Sequence, residues 1–147
     1  MTAYQKANLD ELASTQYPHW IPIRHGLKRA IVSSSSRRWI DLHLERLEET
    51  IGWDAICTAD GDPARAKPAP TLYLEALALL GVDADEAIVF EDSPNGVRAA
   101  KAAGIYCVAV PNEVTRELGL EAAGADLLLD SLAVLPPEEL LCRFAAA

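Results

Sequence analysis

From about Lys28 onward, short apolar runs alternate with stretches in which apolar residues recur every three or four positions. The apolar runs lack strict in-out alternation, which is typical of strands buried on both faces. They predict five strands: Arg29–Ser33, Ala55–Thr58, Ala87–Glu91, Tyr106–Val110 and Asp126–Leu129. The periodic stretches predict helices with a face at Ile40, Leu44, Leu47 and Ile51, then over Thr71–Leu80, Pro94–Ala103 and Glu113–Ala122, and after Pro136-Pro137. This order predicts a doubly wound α/β domain with a parallel sheet.

Residues 1–25 follow a different pattern. They contain Pro18, Pro22 and two of the three histidines, with a weak helical pattern near Ala7–Ala13 and no good strand. We therefore divide the chain into an irregular or helical amino-terminal segment, residues 1–25, and an α/β core domain, residues 26–147.

Composition limits the class of partner. Hydrophobic residues make up 50% of the 147 positions and charged residues 24%, which is usual for a globular domain. The net charge of -9 argues against nucleic acid or an anionic membrane as the main partner. Without a bilayer-spanning run or a signal-peptide pattern, and with three scattered cysteines (Cys57, Cys107 and Cys142), we expect buried free thiols and a cytoplasmic location.

Polar residues stand at three strand–helix junctions. Ser33–Ser36 follows a strand, Lys67-Pro68-Ala69-Pro70 precedes a helix, and Glu91-Asp92 ends the clearest strand. Because the carboxyl ends of parallel strands gather chemistry, these groups suggest a phosphate held by a cation and a metal held by carboxylates. Simpler interpretations remain for each: a capped turn for the serines, a solvated lysine, and a helix cap at Asp92 or Ser93.

Together the motifs resemble the haloacid dehalogenase superfamily of phosphatases and phosphomutases, over roughly Leu27–Leu135. The branch they resemble includes beta-phosphoglucomutase and phosphoglycolate phosphatase. Ala30–Ser33 is similar to the second motif of that family, Lys67–Pro70 to the third, and Val89–Gly96 to the fourth. The helix that follows, through Gly104, is also similar.

The resemblance implies a Rossmannoid core and a role for each residue. Ser33, with Ser34, would bind the phosphoryl oxygens, and Lys67 would neutralise charge on the nucleophile and the phosphate. Asp92 would ligate Mg²⁺, with Glu91 close by through water. The implied substrate is a small phosphorylated metabolite.

The chain also departs from the family. The first family motif is an Asp-x-Asp pair on the central strand, and its first aspartate is the nucleophile. Only Asp60-Gly61-Asp62 and Asp83-Ala84-Asp85 have that spacing, and neither follows an apolar strand. The cap domain and the first central strand are missing as well. We therefore expect a member truncated at its amino end, and weak or inactive alone.

Three hypotheses stay open. The chain is a phosphohydrolase or phosphomutase core whose activity is supplied elsewhere or lost, or it is a non-catalytic module that binds phosphate or Mg²⁺. In the third hypothesis it is an interaction fragment, in which the open sheet edge takes a partner strand or forms an oligomer.

Overall fold

A computed structural model describes residues 26–47, 52–121 and 123–145 of the chain. Within them lie five strands and four α-helices: β1 (Ala30–Ser33), α1 (Arg37–Arg46), β2 (Ala55–Thr58), α2 (Thr71–Leu80), β3 (Ile88–Glu91), α3 (Pro94–Ala102), β4 (Tyr106–Ala109), β5 (Leu127–Leu128) and α4 (Pro137–Ala145). Two short 3₁₀ helices, Ala84–Glu86 and Leu132–Val134, complete the set. The predicted amino-terminal segment, residues 1–25, lies outside the described residues.

All strand pairs are parallel, as the sequence predicts. β1 pairs with β2 in register Ala30 to Ala55, β3 pairs with β4 from Ile88 to Tyr106, and β4 pairs with β5. The strands form two sheets, β1-β2 and β3-β4-β5. Within the described part of the chain β1 and β3 do not pair directly, although the two sheets bring their carboxyl ends to the same edge.

One hydrophobic core lies across both sheets. It contains Val32 and Cys57 from the first sheet and Val89 and Cys107 from the second, with Leu72 of α2 between them. Helix α2 packs against β1, β2 and α3, so it joins the two halves. Cys57 and Cys107 are buried free thiols, as predicted, whereas Cys142 is exposed.

Local signals explain where the helices begin and end. The Ser36 hydroxyl accepts a hydrogen bond from the Trp39 N–H at 3.3 Å and caps α1. Ser93 caps α3 in the same way, through the Gly96 N–H at 3.1 Å, and Pro94 occupies the first helical position. Gly81 ends α2 at φ 63°, a conformation that glycine adopts without strain.

The predicted helix over Glu113–Ala122 is wrong. Residues 113–117 form turns: the Asn112 side chain caps the N–H groups of Val114 (2.8 Å) and Thr115 (3.0 Å), and the Asn112 carbonyl accepts the N–H of Arg116 at 3.0 Å, but helical hydrogen bonds do not continue beyond this turn. Gly119, at φ 70°, then turns the chain again. In the described residues no helix has the length and apolar character that crossing a membrane requires.

Candidate active site

Lys67 connects the carboxyl ends of the two sheets. It lies in the loop between β2 and α2, and its backbone N–H donates to the Ser34 hydroxyl, just beyond β1, at 3.0 Å. Its ammonium group forms an ion pair with Glu91, the last residue of β3. Three of the predicted positions, far apart in sequence, therefore meet at one edge of the fold.

The Lys67–Glu91 pair is buried. The Lys67 side chain is 4% exposed and that of Glu91 is 0% exposed. The Tyr73 hydroxyl donates to the same Glu91 oxygen, Oε1, and the Ser93 hydroxyl donates to Oε2 at 3.3 Å. Burial raises the pKa of Glu91, but the Lys67 ammonium and the hydrogen bonds from Lys67 and Tyr73 bring the pKa below its ordinary value. Glu91 is thus an anion held by its partners.

Gly96 provides the space that Glu91 occupies. A Cβ atom at position 96 would overlap the carboxylate carbon and both carboxylate oxygens of Glu91. The first turn of α3 therefore lies directly against the carboxylate, where backbone N–H groups favour negative charge. Glycine is required here because of close approach rather than because of its backbone angles.

Asp92 has a different environment from its neighbour. It is 7% exposed, and its Oδ2 accepts a hydrogen bond from the Asn112 side-chain amide at 2.8 Å. Its other oxygen, Oδ1, accepts no hydrogen bond from any described residue. Burial, followed by the charge of Glu91, raises the pKa of Asp92 to about 6. Of the two adjacent acids, Glu91 and Asp92, it is Asp92 that has a carboxylate oxygen available to a ligand.

Ser33 is buried at the end of β1, with 1% exposure. Its hydroxyl oxygen accepts the Ser35 N–H at 3.0 Å, and its proton is donated to no residue in the described ranges. A serine hydroxyl has one donor, so Ser33 can still donate to an anion. Ser34 instead uses its oxygen to hold the backbone of Lys67.

Both Asp-x-Asp segments lie in connecting segments, but Asp60 follows β2 by two residues, which corrects the prediction that neither segment follows an apolar strand. Asp60, at φ 49°, accepts the Thr58 hydroxyl at 2.7 Å and the Arg37 N–H at 2.5 Å, where α1 begins. Asp83 takes part in the capping box of the first 3₁₀ helix. Asp60 is thus engaged with the end of β2 and the start of α1, and Asp83 with the first 3₁₀ helix.

The residues present fit a partial metal site. No group of three or more His, Cys, Asp or Glu in the described chain could hold a metal ion. Mg²⁺ needs fewer protein ligands, because it keeps waters and is commonly held by one or two carboxylates and the phosphates of a substrate. Asp92 could supply such a carboxylate, whereas Glu91 as an outer ligand stays a prediction.

Three contributors were missed by sequence reasoning. Tyr73 lies on the apolar face of α2 by its spacing, but its hydroxyl needs a partner when the ring is buried. Gly96 was read only as part of a motif. Asn112 carried a usable signal, because it is the first polar residue after a predicted strand, at the same sheet edge as the motifs.

Comparison with known proteins identifies the family. The family model described as Haloacid dehalogenase-like hydrolase matches residues 23–110. Protein CbbY of Cereibacter sphaeroides is 37% identical over 130 residues, which cover 78% of this chain and 55% of CbbY. Validoxylamine A 7'-phosphate phosphatase of Streptomyces hygroscopicus subsp. limoneus is 40% identical over 102 residues, covering 69% of this chain and 46% of that protein.

A solved structure agrees with these sequence relatives. The HAD family hydrolase of Deinococcus radiodurans R1, with bound phosphate and sodium, has a TM-score of 0.72 and 25% identity, and covers 96% of this chain and 60% of that one. The fold and the motifs define an α/β protein of the Rossmannoid class. The chain belongs to the haloacid dehalogenase-like hydrolase family. It spans about half the length of the curated relatives named above.

Proposed function

We propose that this chain is the core of a phosphohydrolase or phosphomutase that acts on a small phosphorylated metabolite with Mg²⁺. The observation that carries the proposal is the buried Lys67–Glu91 ion pair. It lies next to Asp92, at the sheet edge where β1 ends in the buried Ser33. Phosphoryl transfer depends mainly on positioning and on stabilisation of charge, and this edge offers groups for both.

Each residue has a proposed role in that chemistry. Ser33 donates its hydroxyl proton to a phosphoryl oxygen, and Ser34 keeps Lys67 in place through the Lys67 backbone. The Lys67 ammonium neutralises charge on the phosphate. Asp92 holds Mg²⁺ directly, with Glu91 as an outer partner through water. When bound, Mg²⁺ would supply further charge neutralisation on the phosphate oxygens.

The relatives support the substrate class. One is by name a validoxylamine A 7'-phosphate phosphatase, and a structural neighbour contains bound phosphate. The net charge of -9 makes nucleic acid and anionic membranes poor candidates. Partners other than the metabolite are proposed only at the boundary between the two sheets, where a strand from another chain could add.

The chain alone should be a very poor catalyst. A covalent route needs an acidic nucleophile, and the two Asp-x-Asp segments make local hydrogen bonds in connecting segments instead. Losing a catalytic nucleophile commonly costs several orders of magnitude in turnover.

Hydrolysis of p-nitrophenyl phosphate in excess Mg²⁺ tests the proposal. We expect the 147-residue chain to turn over well below about 1 per second, and a version extended upstream with an Asp-x-Asp strand to approach that usual range. Asp92→Ala should abolish the activity of the extended form. Turnover near 1 per second by the short chain, lost in Asp92→Ala, would contradict the missing-nucleophile argument; no gain on extension would contradict the enzymatic assignment.

A second candidate is a non-catalytic module that binds phosphate and Mg²⁺. It is favoured by the Ser33 proton and the Asp92 oxygen, both available to a ligand without a nucleophile beside them. Saturable phosphate binding that is lost in Lys67→Met, with no turnover in the extended form, would select this function.

A further inference from the structure

The Asn112 side chain is bound on both sides of its amide group. Its Oδ1 accepts the N–H groups of Val114 at 2.8 Å and Thr115 at 3.0 Å. Its Nδ2 donates to Asp92 Oδ2 at 2.8 Å. In addition, the backbone N–H of Asn112 donates to the Thr115 hydroxyl at 3.0 Å. The turn after β4 is therefore organised around this one residue.

These contacts leave a single orientation for the amide. Two backbone N–H groups point at one of its atoms, which must be the oxygen, because the amide nitrogen has only donors. The NH₂ group then has to face Asp92. The turn that replaces the predicted helix thus presents a fixed donor to the carboxylate.

The Asn112 donor makes the two Asp92 oxygens unequal. Oδ2 is occupied by Asn112, whereas Oδ1 accepts no hydrogen bond from the described residues. We propose that Asn112 is a positioning residue that restricts Asp92 to binding a cation through one oxygen, and so favours Mg²⁺ over Ca²⁺. The inference rests on the Mg²⁺ site of the proposed function, and concerns its selectivity.

The reason for selectivity lies in coordination geometry. Mg²⁺ requires near-ideal octahedral coordination at short distances and suits a carboxylate that offers one oxygen. Ca²⁺ has six to eight ligands, and carboxylates often bind it through both oxygens. The Asn112 hydrogen bond takes one lone pair of Oδ2 and fixes the carboxylate, so binding through both oxygens would compete with that bond, which penalises Ca²⁺ more than Mg²⁺.

Calorimetric titration with MgCl₂ and CaCl₂, without substrate, measures the effect. Asn112→Ser keeps a short side-chain acceptor for the turn N–H groups but cannot reach Asp92. We expect its ratio of Ca²⁺ to Mg²⁺ affinity to rise about three- to tenfold over wild type, the range of one ordinary hydrogen bond. Thr115→Val is the matched control, since it loosens the same turn without touching the amide, and should leave the ratio unchanged.

A ratio of Ca²⁺ to Mg²⁺ affinity that stays constant in Asn112→Ser, or moves equally in Thr115→Val, would overturn the inference, as would wild-type protein that binds neither cation.

If Asn112→Ser does not fold, infrared difference spectra of the wild-type protein, with Asp92→Asn as the blank, provide the second test. We expect the widely separated carboxylate stretches of single-oxygen binding with Mg²⁺, and a two-oxygen signature would contradict it. Cation binding with the expected affinity ratio, but no turnover by the extended form of the chain, would contradict the proposed function and leave this inference intact.

Discussion

At the scale of single residues, Glu91 and Asp92 show how two adjacent acids acquire different properties. Glu91 faces Lys67 and Tyr73 and is held as an anion, with its pKa below the ordinary value. Asp92 accepts a hydrogen bond from the neutral amide of Asn112, and burial followed by the Glu91 charge raises its pKa to about 6. The two carboxylates therefore differ because they have different hydrogen-bond partners, although they are adjacent in sequence.

The raised pKa of Asp92 predicts a pH effect on stability. Its ordinary value is 3.8 and its folded value about 6, so between these pH values the folded chain holds a proton that the unfolded chain has released. The stabilising contribution is complete below about pH 4 and is lost as the pH rises towards 6. Relative to Asp92→Asn, wild-type protein should lose on the order of 2 kcal/mol of unfolding free energy across this window.

Urea unfolding of both proteins at several pH values, in EDTA, would measure this difference. Glu91, which has the opposite pH dependence, is present in both proteins and largely cancels. A constant difference from pH 4 to 7 would show that Asp92 is not perturbed.

At the scale of elements, the junction of β3 and α3 is the tightest part of the site. The strand ends in a buried carboxylate, and the helix begins against it at Gly96. Ser93 serves both elements, because its hydroxyl donates to Glu91 and caps α3. The ion pair and the helix start are therefore one structural unit.

Gly96→Ala tests this unit. In an open helix the change would stabilise by about 1 kcal/mol, through helix propensity. Here we expect destabilisation of about 2 kcal/mol or more, because the added Cβ displaces the Glu91 carboxylate from Lys67. Gly52→Ala is the control, with nothing within 4 Å of the added Cβ, and should shift the unfolding free energy by less than about 0.5 kcal/mol. Stabilisation by Gly96→Ala would contradict the close packing.

At the scale of the whole molecule, two separate sheets share one core. Helix α2 packs against the first sheet and against α3, which packs on the second; Leu72 of α2 is completely buried, whereas Leu79, on the same helix, is 62% exposed. The Lys67–Glu91 pair adds a second link between the sheets. The described part of the chain should therefore unfold as one unit.

Leu72→Ala should cost about 2–5 kcal/mol and keep a single transition when circular dichroism and tryptophan fluorescence are followed together. Leu79→Ala should change the unfolding free energy by less than about 0.5 kcal/mol. Two resolved transitions in Leu72→Ala would show that the sheets are independent units.

Most of the fold could be predicted from the sequence. The five strands and the helices α1, α2, α3 and α4 follow from apolar periodicity, capping serines and glycine or proline boundaries, and all depend on nearby residues. At Glu113–Ala122 the apolar spacing resembles a helix and Asn112 caps its first turn, but the helical hydrogen bonds do not continue and Gly119, at φ 70°, turns the chain.

The motifs by themselves determined which residues gather at the carboxyl edge, because the position at which each strand ends is a local property of the sequence and parallel strands end at the same edge. Tertiary structure alone decided which partner each of their charged groups has. Glu91 turns to Lys67 and Tyr73, and Asp92 turns to Asn112, through contacts between residues 18 to 24 positions apart. No local pattern encodes those pairings, since they depend on how α2 and the turn after β4 pack around the end of β3.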